Sequence, residues 1–308
     1  MVNLSKQIKG YIDFCECMKG VSEKTKAAYQ TDLKQFRSWH GNDYEWCNKP
    51  VVLDFISFAY KTYKPRTAKR KIASLKAFFH YLETEEIIEY DPFHKIKYKR
   101  KEALILPRTF PSSVLSKILN YAYSSFNSNT TNDYQKKNIL RDIAVFELLF
   151  ASGVRVGELC SLKSHDVDTN QKLIKVNGKG NRERYIQITN PSVLKALRLY
   201  KNNFSKSIDE TGYFFINNRG RRLQEQSVRC IINKYVNKTG IKLHITPHMF
   251  RHTVATMLTE EDVDIRYIQE LLGHSSIQTT QIYTHISLSA QKKILSKKHP
   301  RNKIHINI

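Results

Sequence analysis

The sequence predicts a mainly α protein of two domains, the second carrying a small antiparallel β-sheet. Three observations lead there. Most of the 308 residues lie in segments whose apolar positions recur at i, i+3 or i+4 and i+7, the period of a helix. One segment near the middle, LIKVNGKGNRERYIQI, instead alternates apolar and polar residues about a glycine-rich centre, as a hairpin does. Ahead of it, residues 95–109 lose apolar periodicity and gather Lys95, Lys97, Lys99, Arg100 and Lys101, as an exposed linker does.

Composition narrows the class. The chain has 51 Lys and Arg against 28 Asp and Glu, a net charge of +23. An excess of that size favours a polyanionic partner, although anionic membrane surfaces carry the same sign. No run of about eighteen apolar residues is present, and the first residues lack the charged-then-apolar pattern of a secretion signal, so a cytosolic protein without membrane attachment is expected. The cysteines, Cys15, Cys17, Cys47, Cys160 and Cys230, are odd in number and lack CxxC spacing, which supports neither a disulfide framework nor a zinc site. A GxxxxGK[ST] loop is missing too, so ATP binding is not expected.

In chain order, Ile8, Tyr11, Ile12 and Cys15 keep helical spacing, and Ser22 caps a second segment striped by Thr25, Tyr29, Leu33 and Phe36. Pro50 opens a third helix. A fourth, from Thr67 to about Glu83, has Ile72, Leu75, Phe79 and Leu82 on one side and Lys69, Arg70 and Lys76 elsewhere on its surface. These four form a small helical domain, residues 1–94, with one basic flank. A second domain, 110–295, begins with Pro111, Ser112 and the helix VLSKILNYAY, followed by a polar loop. A long apolar helix with Ile139, Ile143, Phe146 and Phe150 in register ends at Ser152-Gly153, and Arg155 is held in the turn before the short helix VGELCSL. Asn177-Gly178 is a favoured turn dipeptide for the hairpin, with Lys179 at its tip. Next come a short apolar strand, YFFINN, a basic turn with Arg219, Arg221 and Arg222, and a helix turning Val228, Ile231, Ile232 and Tyr235 inward.

The most informative stretch is TPHMFRHTVATMLTEEDVDIRYIQELLGHSSIQTTQIYTH, residues 246–285. Thr246 and Pro247 signal a helix start, a capping hydroxyl followed by a proline. Phe250, Val254, Met257 and Leu258 form its buried stripe, and His248 and Arg251, three apart, share another face. A second helix, with Ile265, Ile268, Leu271 and Leu272 apolar, stops at Gly273; His274 follows, and Tyr283 stands nine positions later on a third short helix capped by Ser276. Residues 296–308 form a basic tail, either disordered or a segment that docks on a neighbouring protomer.

HxxR, then LLGH, then Tyr nine residues on resembles the C-terminal signature of the tyrosine recombinases, the phage-integrase and Xer class of DNA strand-exchange enzymes. ASGVRVGEL resembles the motif around the first catalytic arginine of that family, with Glu158 as a carboxylate that can hold the turn, and Lys179 resembles its mobile hairpin lysine. TAKRKIASLKAFFHYL looks like the last long helix of the family's core-binding domain. The resemblance implies a C-shaped clamp around double-stranded DNA and a catalytic set of Arg155, Lys179, His248, Arg251, His274 and Tyr283, with no cofactor and no metal. Tyr283 would be the nucleophile, His248 its base, Lys179 the acid for the leaving 5′-hydroxyl, His274 a donor to the phosphate, and the arginines its clamps. Bidentate arginines suit such a site because phosphoryl transfer loads negative charge onto the equatorial oxygens.

Lys69, Arg70, Lys76, Lys99, Arg100, Arg221 and Arg222 are the expected DNA contacts. A homotetramer on two synapsed sites follows from the family, an accessory activator protein stays open, and a nucleoid-associated location follows from DNA as partner. Two other readings stay open as well: a type IB topoisomerase and a DNA-binding relative without catalysis. The compact layout is similar to Xer-type proteins, which leaves chromosome-dimer resolution and mobile-element integration both standing.

Overall fold

The computed structural model describes residues 3–94, 96, 108–178, 183–273 and 288–304. They form two compact units that divide between Ile105 and Leu106.

The first unit is four helices: α1 (Leu4–Cys17), α2 (Glu23–His40), α3 (Lys49–Thr62) and α4 (Pro65–Thr84). Their starts are chemically marked. Side-chain oxygens of Asn3, Ser22 and Asn48 accept the backbone N–H groups of Lys6, Thr25 and Val51, satisfying donors that the helix itself leaves free. Pro50 and Pro65 occupy the first turns of α3 and α4, where a missing N–H costs nothing. Helix α4 packs on the other three, around a core of Phe36, Trp46, Phe55, Phe78 and Phe79, with Phe36 set edge-on to Phe55 at 5.0 Å. Buried Asp32 of α2 accepts hydrogen bonds from Arg70, Lys71 and Ser74, so one carboxylate ties α2 to α4.

The second unit is built around α6 (Asp133–Ser152), in which every residue from 139 to 152 is buried. Helices α5 (Ser112–Asn127), α8 (Pro191–Thr211) and α10 (Pro247–Glu260) pack against it. The short α7 (Val156–Ser161) and a single 3-10 turn, Ser164–Asp166, lead into the strands β1 (Val167–Asp168), β2 (Leu173–Asn177) and β3 (Glu183–Gln187). The sheet is antiparallel in the order β1-β2-β3, pairing Val167 with Ile174 and Ile174 with Ile186. Helices α9 (Glu225–Lys238), α11 (Ile265–Leu272) and α12 (Leu288–Lys298) complete the unit, α12 lying on β3.

Several expectations change. Residues 191–211, for which no element was expected, form α8, whose stripe of Val193, Leu197, Tyr200 and Ile208 is buried. YFFINN makes only isolated bridges, Lys163 with Tyr213 and Ile216 with Arg222, rather than a strand. Asn177 still pairs with Glu183 inside the ladder, so Asn177-Gly178 is not a tight two-residue turn. Thr246 precedes α10 without a capping hydrogen bond from its side chain, so Pro247 alone marks the start. Ile265 is 57% exposed, and Tyr267 takes its place in the core.

Of the basic tail expected from residue 296, His299, Pro300, Arg301 and Ile304 are buried in the second unit, while Ser296, Lys297 and Lys303 are exposed. A 3-10 turn, Pro300–Lys303, follows α12, and Arg301 is fully enclosed, its Nε and Nη2 each 2.6 Å from the Glu147 carboxylate on α6. A charge cannot be buried unpaired, and this one has an ionic partner as well as the Ile304 carbonyl. The segment 276–285 and residues 305–308 lie outside the described residues.

Candidate active site

Two corners of the second unit meet. Helix α6 stops at Gly153, which adopts φ +60°, and the chain reverses into Val154 and Arg155. A Cβ on Gly153 would sit 2.6 Å from Leu272 Cδ2, so the corner lies directly on the end of α11. Helix α11 stops the same way, with Gly273 at φ +65°. Glycine is needed at both positions because an L side chain rarely adopts that conformation.

Arg155 immediately precedes α7 and is fixed by the carboxylate three residues on. Its backbone N–H donates to Glu158 Oε2 at 2.9 Å, its Nη1 donates to Glu158 Oε1 at 2.7 Å, and its Nη2 reaches the Gly273 carbonyl at 3.1 Å. Arg251, on the second turn of α10, is buried; Nη1 donates to the Gly153 carbonyl at 2.9 Å and Nη2 to that of Leu272 at 2.6 Å. The two arginines expected to act together are therefore brought to the same place, Arg155 bound to the Gly273 corner and Arg251 bridging the two.

A third arginine joins them that sequence reasoning missed. Arg184 of β3 donates through Nε to the Leu271 carbonyl at 3.0 Å and through Nη2 and Nη1 to Glu158 at 2.8 and 3.3 Å. Its signal was readable: strand alternation places Arg184 on the same face as buried Ile186, where a charge is unexpected. Leu271, Leu272 and Gly273 thus each give their carbonyl to a different arginine. These are carbonyls that a helix end leaves unpaired, at the negative pole of its dipole.

The electrostatics follow from three guanidinium groups around one carboxylate. Burial alone would raise the Glu158 carboxyl, but the contacts from Arg184 and Arg155 outweigh it and hold the group below its usual range. Burial, and then the neighbouring charge of Arg155, push Arg251 down to about 10. Three guanidinium groups against one carboxylate leave this corner with a net positive charge, and guanidinium forks are the groups that bind phosphate in a bidentate way.

His248 stands on the first turn of α10 and is exposed, so sharing a helix face with Arg251 does not give the two side chains the same depth. His252, one turn on, is half-buried, and burial together with His248 and Arg251 lowers its pKa. Lys179, His274 and Tyr283 lie outside the described residues, as do Lys99 and Arg100. In the first unit Lys69 and Lys76 are exposed on α4, whereas Arg70 places Nη1 on Asp32. Arg221 is exposed in its turn; Arg222 is half-buried, donating through Nε to the Cys160 carbonyl at 2.7 Å and lying over the Tyr213 ring.

Among the described residues, His80, Glu83 and Asp91 bring metal-type donors together. Glu83 Oε1 already accepts the Asp91 backbone N–H and Asp91 Oδ1 that of Phe93, which accounts for the cluster as the closure of the chain after α4.

Arg155, Arg184 and Arg251 thus gather where the ends of α6 and α11 meet, beside the β2–β3 hairpin, and comparison with known proteins says what kind of protein carries such a corner. Residues 115–289 match the family described as phage integrase, and residues 8–86 match the phage integrase N-terminal SAM-like domain. The chain belongs to the phage integrase family, as a Xer-like tyrosine recombinase. It is 48% identical over 310 residues to a tyrosine recombinase of Agathobacter rectalis, covering 99% of this chain and 100% of that one. It is 35% identical to the tyrosine recombinase XerC of Thermodesulfovibrio yellowstonii, covering 98% and 99%. Its fold is similar to that of a lambda integrase tetramer bound to a Holliday junction, with a TM-score of 0.67, 18% identity and coverage of 92% of this chain and 81% of that one. Site-specific DNA recombination is accordingly the activity class.

Proposed function

We propose that the chain recombines two DNA sites by cutting each strand through a 3′-phosphotyrosine on Tyr283 and resealing it with a 5′-hydroxyl from the other duplex, passing through a Holliday junction. The observation that carries this reading is the convergence of Arg155 and Arg251 on the end of α11, one residue before His274. In the proposed step the Tyr283 oxygen attacks the scissile phosphorus while His248 takes its proton. The bond to the 5′-oxygen breaks, and that oxygen leaves with a proton from Lys179. Arg155 and Arg251 hold the phosphate oxygens on which charge accumulates, and His274 donates a further hydrogen bond. One phosphodiester is exchanged for one phosphotyrosine, so rejoining needs neither ATP nor another energy source.

Lys69, Arg70, Lys76, Lys99, Arg100, Arg221 and Arg222 are proposed to contact the duplex, with residues 95–109 as the strap between the two domains, 1–94 and 110–295. Four protomers on two synapsed sites are the proposed assembly, supported by the tetrameric state of the lambda integrase of like fold. The relatives named XerC support a Xer-type role.

The test is a nicked suicide substrate, which lets the cleaved end diffuse away and traps covalent protein on a denaturing gel. A shifted band that is lost in Tyr283→Phe supports the reading. A band that persists in Tyr283→Phe moves the nucleophile elsewhere. Two-site recombination with no relaxation of a supercoiled plasmid lacking the site separates the reaction from that of a type IB topoisomerase.

A further inference from the structure

We propose that Arg184 is the positioning residue of this site, coupling the β2–β3 hairpin to the arginine pair and to the chain that leads into His274. The proposal rests on the reading of Arg155, Arg251 and Tyr283 given above.

Arg184 occupies a place where the strand pattern calls for an apolar side chain. It pairs with buried Val176, shares its face with buried Ile186, and its side chain is 12% exposed. A charge on the inward face of a sheet is stabilised only if its hydrogen bonds are made inside. All three guanidinium nitrogens make them: two on Glu158, one on the Leu271 carbonyl. Every nitrogen of the group is thus engaged by the protein itself.

What it holds is specific. Glu158 is the carboxylate that orients Arg155, and Arg184 fixes both of its oxygens from the opposite side to α7. The guanidinium also lies flat on Gly273, where a Cβ would meet Nη1 at 2.9 Å and Cζ at 3.1 Å. Arg184 therefore sets two things at once, the direction of Arg155 and the exit of the chain from α11. It stands five positions after Lys179 on the same hairpin, so a shift of the hairpin is transmitted to Glu158 and to Gly273 through one side chain. Only an arginine can do this, since a lysine ammonium cannot span a carboxylate and a carbonyl with a planar fork.

The experiment compares the parent protein with Arg184→Gln and Arg184→Lys. It measures covalent adduct formation in a single turnover at saturating protein, DNA affinity against salt, and hydrogen exchange of the amides at residues 271–273. Misplacement of a clamp by about an ångström slows chemistry by roughly a hundredfold, so Arg184→Gln is expected to form adduct about a hundredfold more slowly, with an unchanged salt slope and faster exchange. Arg184→Lys, which keeps the charge without the fork, is expected to stay at least about tenfold slower than the parent, and it decides the matter if the glutamine variant does not fold: a parental rate in Arg184→Lys overturns the proposal. Adding Glu158→Gln to Arg184→Gln slows the reaction no further, because both act through Arg155. Adduct formation within about twofold of the parent, or a salt slope smaller by about one, which marks a phosphate contact, would overturn the proposal. If the parent itself forms no adduct, the recombination chemistry falls, and exchange at residues 271–273 judges Arg184: unchanged protection in Arg184→Gln overturns its positioning role, and lost protection supports it.

Discussion

Glu147 and Arg301 lie 154 positions apart in sequence and face each other in a two-point ion pair, both contacts 2.6 Å, at the centre of the second unit. Tyr123 adds a hydroxyl to the same carboxylate at 3.1 Å. Removing one partner leaves the other charge buried and unpaired, which typically destabilises by about 3–5 kcal/mol. Arg301→Met is expected to lower the denaturant midpoint of the second unit accordingly, and the double change Glu147→Leu with Arg301→Met to recover most of the loss. Equal instability of the single and double variants would show that the pair's packing, not its charge, is what matters.

His299 is fully buried beside this pair, and burial, then the charge of Arg301, push its pKa from 6.5 to about 4. The unfolded chain therefore binds a proton that the native state refuses, and stability drops as pH falls from about 6.5 to 4. The loss over that window is roughly 3 kcal/mol. His299→Asn keeps an acceptor for the Arg301 N–H, which the imidazole Nδ1 now receives, and should flatten this slope. Unfolding measured at pH 7, 5.5 and 4.5 for both proteins checks it; parallel slopes would assign the acid loss to other groups.

Arg251→Lys keeps the charge but cannot reach the Gly153 and Leu272 carbonyls while also presenting a fork to phosphate. Site binding is expected to persist while covalent cleavage drops by about a hundredfold or more, the usual effect of losing one transition-state donor. A rate equal to the parent's would remove Arg251 from the chemistry.

Gly153→Ala combines a strained φ with a methyl group placed against Leu272. About 1–2 kcal/mol of destabilisation is expected from the left-handed conformation alone, and Leu272→Ala relieves the contact but not the backbone term. Thermal unfolding of the single and double variants separates the two contributions.

The four helices of the first unit, α5, α6, α7, α9, α10 and α11, the hairpin strands and both glycine stops were legible because each depends on local pattern: apolar spacing, capping side chains, and residues that tolerate positive φ. Arg155 and Arg251 were legible through their motifs. Arg184 was not, because its role arises only when β3 meets α7 and α11, three elements far apart in the chain. Helix α8 carries a regular stripe of Val193, Leu197, Tyr200, Phe204 and Ile208 behind the start signal Asn190-Pro191, so it too was legible in local pattern. The burial of Arg301 was hidden for a different reason. A basic run near a terminus looks solvated until a carboxylate 154 residues away is found to be waiting for it.

The C-terminal segment is anchored on both sides of the stretch that carries Tyr283. Helix α12 is seated on β3 and pinned beyond its end by Arg301, while Gly273 is gripped by the arginines on the other side. Tyr283 stands five positions before Leu288, a length of chain that spans at most roughly 17 Å when fully extended. The stretch that carries Tyr283 thus begins and ends on anchored ground, between Gly273, whose carbonyl Arg155 holds, and the first residue of α12, fifteen positions later.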